Sequence, residues 1–362
     1  MDGLAQTVGT GLVLQALLDI YFTVLYPRLG RSVFSMLLSQ GIWCLFKLAT
    51  RAIPFKGDRL LSHSGPIILV AIVVVWLSLL ICGFALIVWP ALGSTIQASQ
   101  GQTPTDFGTA LYYSGFSLTT LGTGDLVPKT DTQRLLMFVQ AAIGFSIFTL
   151  TITYLLSVYS AFVQRNSFAL SLHHRMAGTA DAAELLARMG SNGQLNDIQQ
   201  NIATMARDVL SVLVESHHSY PVVLYFRLQQ TYYSLPRIVL LTMDTATLIK
   251  SALNSEKYRS LICSAAVAEL WGGGLHFLHQ LSHSFLPQRG RLHINPQREQ
   301  AWRERYYRAV ERLKAEGIET VADLEEGANL YISLRRKWQP DLTALSAYMA
   351  YKWSEVAPNE AE

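Results

Sequence analysis

The chain has 362 residues, half of them hydrophobic and only 15% charged, with a formal net charge of +3. That net charge is ordinary for a membrane protein with a basic inner loop, and no interleaved basic and aromatic patch marks a nucleic-acid-binding surface. Three cysteines, Cys44, Cys82 and Cys263, are too few and too scattered for a disulfide framework. Half-apolar composition with unevenly placed charge predicts a membrane protein that carries a sizeable soluble part.

The first apolar segment runs from about Val8 to Tyr26 with Asp19 inside it. It has no positive leader and no small-x-small cleavage site downstream, so it reads as a retained span and not a signal peptide. An ionisable residue inside a span is a functional candidate by default. Pairing with a neighbour such as Arg28 is the favoured reading for Asp19, and proton sensing is the alternative. Residues 32–49 are apolar with basic residues at both flanks, which predicts an interfacial helix on the inner leaflet, with a second arm of a hairpin as the alternative.

Residues 66–90 contain no charge across 25 positions, ample for a hydrocarbon core about 30 Å thick at about 1.5 Å per residue. A further uncharged span runs from about Leu135 to Phe162. The connection between the first two spans holds Arg28, Arg31, Lys47, Arg51, Lys56 and Arg59, whereas Ala91 to Phe107 has no Lys or Arg. The positive-inside tendency therefore puts the first connection in the cytoplasm and the second outside. An external N-terminus, a pore loop entering from outside and a cytoplasmic C-terminal half follow.

Between the last two spans, about Phe107 to Leu118 reads as a short helix, and Thr119-Thr-Leu-Gly-Thr-Gly-Asp125 follows it. A lone Gly-x-Gly is ordinarily a turn, but one between two spans and after a short helix has a different context. Rings of backbone carbonyls replace a cation's hydration shell when several chains align such loops. Pointing consecutive carbonyls inward needs φ above zero at some residues, which Gly122 and Gly124 adopt cheaply. The C-terminal end of the short helix, aimed at the membrane centre, would add partial negative charge favourable to a cation.

Ala110-Leu-Tyr-Tyr-Ser114 with Thr119 to Asp125 resembles the pore helix and filter of two-transmembrane, pore-loop potassium channels over roughly sixty residues. The resemblance implies that Thr120 gives a carbonyl and a hydroxyl to the innermost ion site. The carbonyls of Leu121, Gly122 and Thr123 would form the sites above, with Asp125 at the outer mouth and potassium as the only bound species. Tyr112, Tyr113 and Phe116 would support the filter from the pore helix. Two positions depart from the family pattern: Thr123 stands where it has tyrosine, and Phe116 where it has a pore-helix glutamate. The resemblance also implies a hinge at Gly144, for which close helix packing beside Ala141 and Ala142 is the alternative. Phe148, Ile152 and Leu156 share one helical face. They would form a hydrophobic gate, or else face lipid or the outer helix.

From Arg165 onward the pattern is helical, with breaks expected near Gly178, Gly190–Gly193, Pro221, Pro236, Gly272–Gly274 and Pro287–Pro296. Thr320-Val-Ala-Asp323 reads as a capping box. His276, His279 and His283 share a helix face, which is a packed helix or, as the minority reading, a metal site. No dinucleotide fingerprint, phosphate loop, acidic calcium loop or nucleophile with a base is present, so enzymatic activity is not expected. Voltage gating is not expected either, since no span carries regularly spaced arginines.

These readings predict an all-α membrane protein with three transmembrane helices and one re-entrant pore helix per chain. Its divisions would be 1–64, 65–165 and a helical cytoplasmic domain at 166–362. The expected assembly is a homotetramer in the lipid bilayer of the inner (plasma) membrane, without nucleic acid or cofactor, whose cytoplasmic domain would take an unknown ligand or protein. The expected activity is passive potassium conduction. The alternatives are a non-selective sodium and potassium channel, or a non-conducting membrane-anchored sensor or scaffold.

Overall fold

The computed structural model describes residues 2–26, 33–52, 57–190, 198–285 and 296–360. These divide into two compact units, Met1–Leu45 with Pro66–Tyr159, and Phe46–Gly65 with Ser160–Glu362. Four stretches among the described residues are long and apolar enough to cross a membrane: Asp2–Leu25, Ser64–Ala91, Asp131–Arg175 and Arg259–Phe285.

In the first unit, helix α1 (Asp2–Ile20) runs into a π-helical turn at Tyr21–Leu25. It packs on α4 (Ser64–Val88) through two glycines. A Cβ on Gly9 would lie 2.5 Å from the Gly83 carbonyl oxygen, and one on Gly83 would lie 2.9 Å from that of Gly9. Small residues let apolar helices approach closely where no hydrophobic effect pulls them together. Asp19 is only 6% exposed. Trp76 Nε1 donates to its Oδ2 at 2.8 Å, and the Ser35 backbone N–H and hydroxyl also donate to its carboxylate. The expected partner Arg28 lies outside the described residues. Since Trp76 is midway along α4, the first turn of α2 (Val33–Ala52) reaches the level of the middle of that span. That contact ties the start of the expected interfacial helix to both neighbouring helices. The buried carboxylate supplies the reason, because it needs donors that α2 and α4 provide.

The pore loop has a small β-ribbon that an all-helical reading left out. Strand β1 (Ile96–Ala98) pairs antiparallel with β2 (Leu126–Pro128), Gln97 opposite Val127. Helix α5 (Phe107–Leu118) opens on Asp106, whose carboxylate accepts from Thr109 N–H at 3.0 Å. Helix α6 (Asp131–Arg175) continues well past the expected end near Phe162. Its buried stripe (Tyr154, Val158, Ala161, Arg165, Phe168, Leu172) keeps helical spacing through that point. It ends before Gly178, which takes φ +80°.

In the second unit, α10 (Leu235–Ala252) is buried almost throughout. It packs against α7 (Ala182–Met189), α12 (Ala265–Phe285) and α14 (Leu324–Arg335). Gly272–Gly274 does not break α12. Gly274 instead lies against Met243, where a Cβ would meet Sδ at 2.1 Å. The apolar character of α12 thus follows from burial inside this bundle, against α8 (Ile198–Asp208) and α10. Helix α14 opens on Asp323, which accepts from Glu325 and Glu326 N–H, so the cap lies three residues beyond Thr320. Pro236 sits in the first turn of α10 and Pro296 opens α13 (Pro296–Ala315), where the missing N–H costs nothing. The breaks expected within 191–193 and 287–295 lie outside the described residues.

The centre of this unit is ionic. Asp244 accepts from Arg305 Nη2 at 2.6 Å and from the Tyr331 hydroxyl at 2.6 Å. Arg335 donates to the Tyr331 hydroxyl and to Glu360. Burial alone would raise the Asp244 carboxyl, but Arg305 and Arg335 outweigh it and hold the group below the ordinary range. A buried ionic set survives only where each charge is paired and hydrogen-bonded.

His217 is buried in the same unit, its Nδ1 2.9 Å from the Leu213 carbonyl oxygen. Burial first, and Arg165 second, push its pKa down from 6.5 to about 3. An unfolded chain therefore binds a proton that the folded chain refuses. This contribution to stability is full above the ordinary histidine value and is lost as pH falls towards 3. Thermal unfolding in detergent between pH 6.5 and 4.5 is expected to fall by up to about 1.4 kcal/mol per pH unit, roughly 3–5 °C. His217→Gln flattens that slope.

Candidate selectivity filter and pore

The filter strand leaves α5 through a tight exit. Thr119 N–H and hydroxyl both bond the Gly115 carbonyl, at 3.0 and 2.8 Å. Leu121 N–H bonds the Phe116 carbonyl at 2.9 Å. Beyond that, Thr120, Gly122 and Gly124 have φ of +58°, +59° and +76°. Alternating positive and negative φ turns successive peptide planes of an extended strand the same way, so its carbonyls form a row along one side. Sequence reasoning placed the left-handed residues at the two glycines and missed Thr120, since no local signal distinguishes a strained threonine. Among the described residues, no donor reaches the carbonyl oxygens of Thr120, Leu121, Gly122 or Thr123.

Ser99 N–H bonds the Asp125 carbonyl at 2.8 Å and extends the ribbon to the end of the filter. The Thr123 hydroxyl donates to Asp125 Oδ1 at 2.5 Å, and Leu126 N–H to the same oxygen at 3.1 Å. Asp125 thus gathers its own neighbours on either side, Thr123 before it and Leu126 after it. Tyr113 and Phe116 are buried and meet edge to face, their ring centroids 5.2 Å apart. They belong to the apolar cluster formed with Ala85, Val88, Ile96 and Leu126. Phe116 thus fills with apolar surface a position where the resembling family has a carboxylate.

Gly144 is a contact point. A Cβ there would fall 1.7 Å from the Leu118 carbonyl oxygen, at the end of the pore helix, which is the packing role weighed against a hinge. One turn earlier on this face, the buried Gln140 amide and the Ser114 hydroxyl make no hydrogen bond among the described residues, a feature the uncharged run concealed. Phe148 and Leu156 are 63% and 65% exposed, and Ile152 lies between them on that face. They do not pack on the outer helix of their own chain. Thr149, Thr153 and Ser157 beside them return their hydroxyls to carbonyls one turn back. Leu121, 71% exposed, also lacks cover from its own chain.

His276, His279 and His283 lie on the exposed side of α12. Among the described residues no group of three or more His, Cys, Asp or Glu is placed to hold a metal. The cysteines are free.

Residues 69–161, which contain α4 from Leu69, the pore helix, the filter strand and α6 to Ala161, match the family model described as an ion channel. They form an ion-channel domain of the two-helix, pore-loop type. A protein of Bacillus subtilis (strain 168), described as the uncharacterized membrane protein YdjJ, is 28% identical over 225 residues. The aligned part is 61% of this chain and 62% of that protein, so the chain spans under two thirds of its relative. No solved structure gives a significant match.

In the channel domain, Gly144→Ala is expected to displace the end of the pore helix. Overpacking of this kind costs about 1–3 kcal/mol, read as a lower thermal midpoint of the purified protein in detergent.

Proposed function

We propose that the protein is a homotetrameric channel that conducts potassium passively along a fourfold axis. The observation that carries this reading is the row of four unclaimed carbonyls, from Thr120 to Thr123, on a strand with left-handed residues at alternate positions. Four such strands around an axis would supply stacked oxygen cages in place of a hydration shell. Leu121 and the exposed stripe of α6 would then be covered by neighbouring copies, with Phe148, Ile152 and Leu156 as the constriction. The bond from the Thr123 hydroxyl to Asp125, together with Ser99 N–H on the Asp125 carbonyl, supports potassium selectivity, because it braces the outer end of the filter. The protein would sit in the inner membrane with its N-terminus external and its C-terminal unit cytoplasmic, in keeping with the placement of Lys and Arg. A non-selective sodium and potassium channel is the second reading, favoured by the short side chain of Thr123 itself.

Planar bilayers with potassium on one side and sodium on the other decide between them. A reversal potential near the potassium limit is expected. A value near zero with robust current would replace the proposal with the second reading, and a tetramer that carries no current under any condition would remove both.

Gly122→Ala should abolish current while the protein still assembles. A Cβ at φ +59° costs about 1–2 kcal/mol per chain, and the strain recurs in each of the four subunits. Undiminished current in this variant would refute the filter assignment.

A further inference from the structure

Residues 221–227 join three parts of the second unit that are far apart in sequence. Pro221–Tyr225 is a buried 3-10 turn. On one side, Ser64, the first residue of α4, donates its hydroxyl to the Tyr225 carbonyl at 2.9 Å. Gly65 follows with no room for a side chain, since a Cβ would lie 2.6 Å from the Phe226 ring. On another side is Arg165 of α6, only 2% exposed. Its guanidinium donates to the Val223 carbonyl at 2.9 Å and the Phe226 carbonyl at 2.6 Å. Phe162, one turn earlier, places its ring 5.1 Å from that of Phe226. Arg227 completes the arrangement, donating to Asp58 at 2.6 Å and to the Ala350 carbonyl at 2.5 Å. Its guanidinium also lies 3.9 Å from the centroid of the Tyr351 ring.

The chemistry at Arg165 is unusual for a buried cation. Among the described residues no carboxylate lies within ion-pair distance of it, so the carbonyl ends of the 3-10 turn carry its compensation. The Val223 carbonyl also accepts the Phe226 N–H at 3.2 Å and offers Arg165 its second lone pair, and carbonyls at the end of a helical turn attract a cation. Withdrawing the charge from them would leave it buried and uncompensated, which is strongly unfavourable. The contact therefore holds or releases as a whole, and a continuous helix joins Arg165 to Phe148, Ile152 and Leu156.

We propose that residues 221–227 form a clasp that fixes the separation between the start of α4 and the inner end of α6, with Arg165 and Arg227 as positioning residues for the gate. The inference rests on the channel reading. It makes the C-terminal unit a regulator of pore opening, acting at a turn that holds both pore-domain helices.

The test uses the full chain with Cys44, Cys82 and Cys263 replaced by serine and with Gly65→Cys and Phe226→Cys introduced together. The Cβ position at Gly65 is 3.0 Å from the Phe226 Cα, close enough for a bridge with Cβ atoms about 3.5–4.5 Å apart. In planar bilayers, oxidation should change open probability by roughly fivefold or more, within the usual range of coupling between sites. Reductant should restore it, and single-channel conductance and reversal potential should not move. Arg165→Lys, which keeps the charge but not the two-pronged reach, should shift open probability in the same assay and leave conductance alone. A bridge verified by electrophoresis with open probability unchanged would overturn the clasp, as would normal gating in Arg165→Lys. A change in reversal potential would overturn it too, by placing the effect in the filter. If the cysteine-free parent carries no current the channel reading itself fails, whereas a conducting parent that ignores the bridge removes only the clasp.

Discussion

Everything in the channel domain answers to one constraint: an extended strand must turn several successive carbonyls to the same side and leave them without internal partners. Ordinary strands alternate their carbonyls and pair them. Here left-handed backbone at Thr120, Gly122 and Gly124 breaks the alternation, and nothing inside the filter repays that strain. The surroundings must hold the strand from both ends. At the inner end the turn through Thr119 and Leu121 ties it to the last carbonyls of α5. At the other end the ribbon of β1 with β2, extended by Ser99 N–H on the Asp125 carbonyl, ties it to the loop.

The same economy explains the helices behind the filter. Leu118 ends the pore helix against Gly144, where the missing side chain sets how near α6 can come. Gly9 and Gly83 do likewise for α1 and α4. Lipid gives no hydrophobic incentive for these contacts, so close backbone approach and buried polar bonds do the holding. Asp19 is one such anchor, gathering Trp76 and the first turn of α2 around one carboxylate.

The second unit is built by different rules. Its core is apolar around α10 and α12 but closes on an ionic set of Asp244, Arg305, Arg335 and Glu360 drawn from four separate stretches of chain. Such a set adds little net stability over an apolar core, yet breaking any one member is costly. It therefore fixes how α10, α13, α14 and the C-terminal residues meet. Arg165 and Arg227 extend that logic to the segments entering α4 and leaving α6.

The helices over 66–90 and 135–162, the short helix at 107–118 and the positive φ of Gly122 and Gly124 were legible in the sequence because each depends on local terms: an uncharged run, a short amphipathic stretch, and glycine's freedom. Periodicity also found the stripe of Phe148, Ile152 and Leu156, and the helical character of the C-terminal half. It overestimated Gly272–Gly274 as a break, because a glycine needed for packing and one needed for a turn look the same along the chain. The partners of Asp19, the packing of α2 against it and the grip on Arg165 join residues separated by up to tens of positions. Those were decided by tertiary structure, since a buried charge or hydroxyl takes whichever donor or acceptor the fold brings within reach, and no local pattern records which one that is.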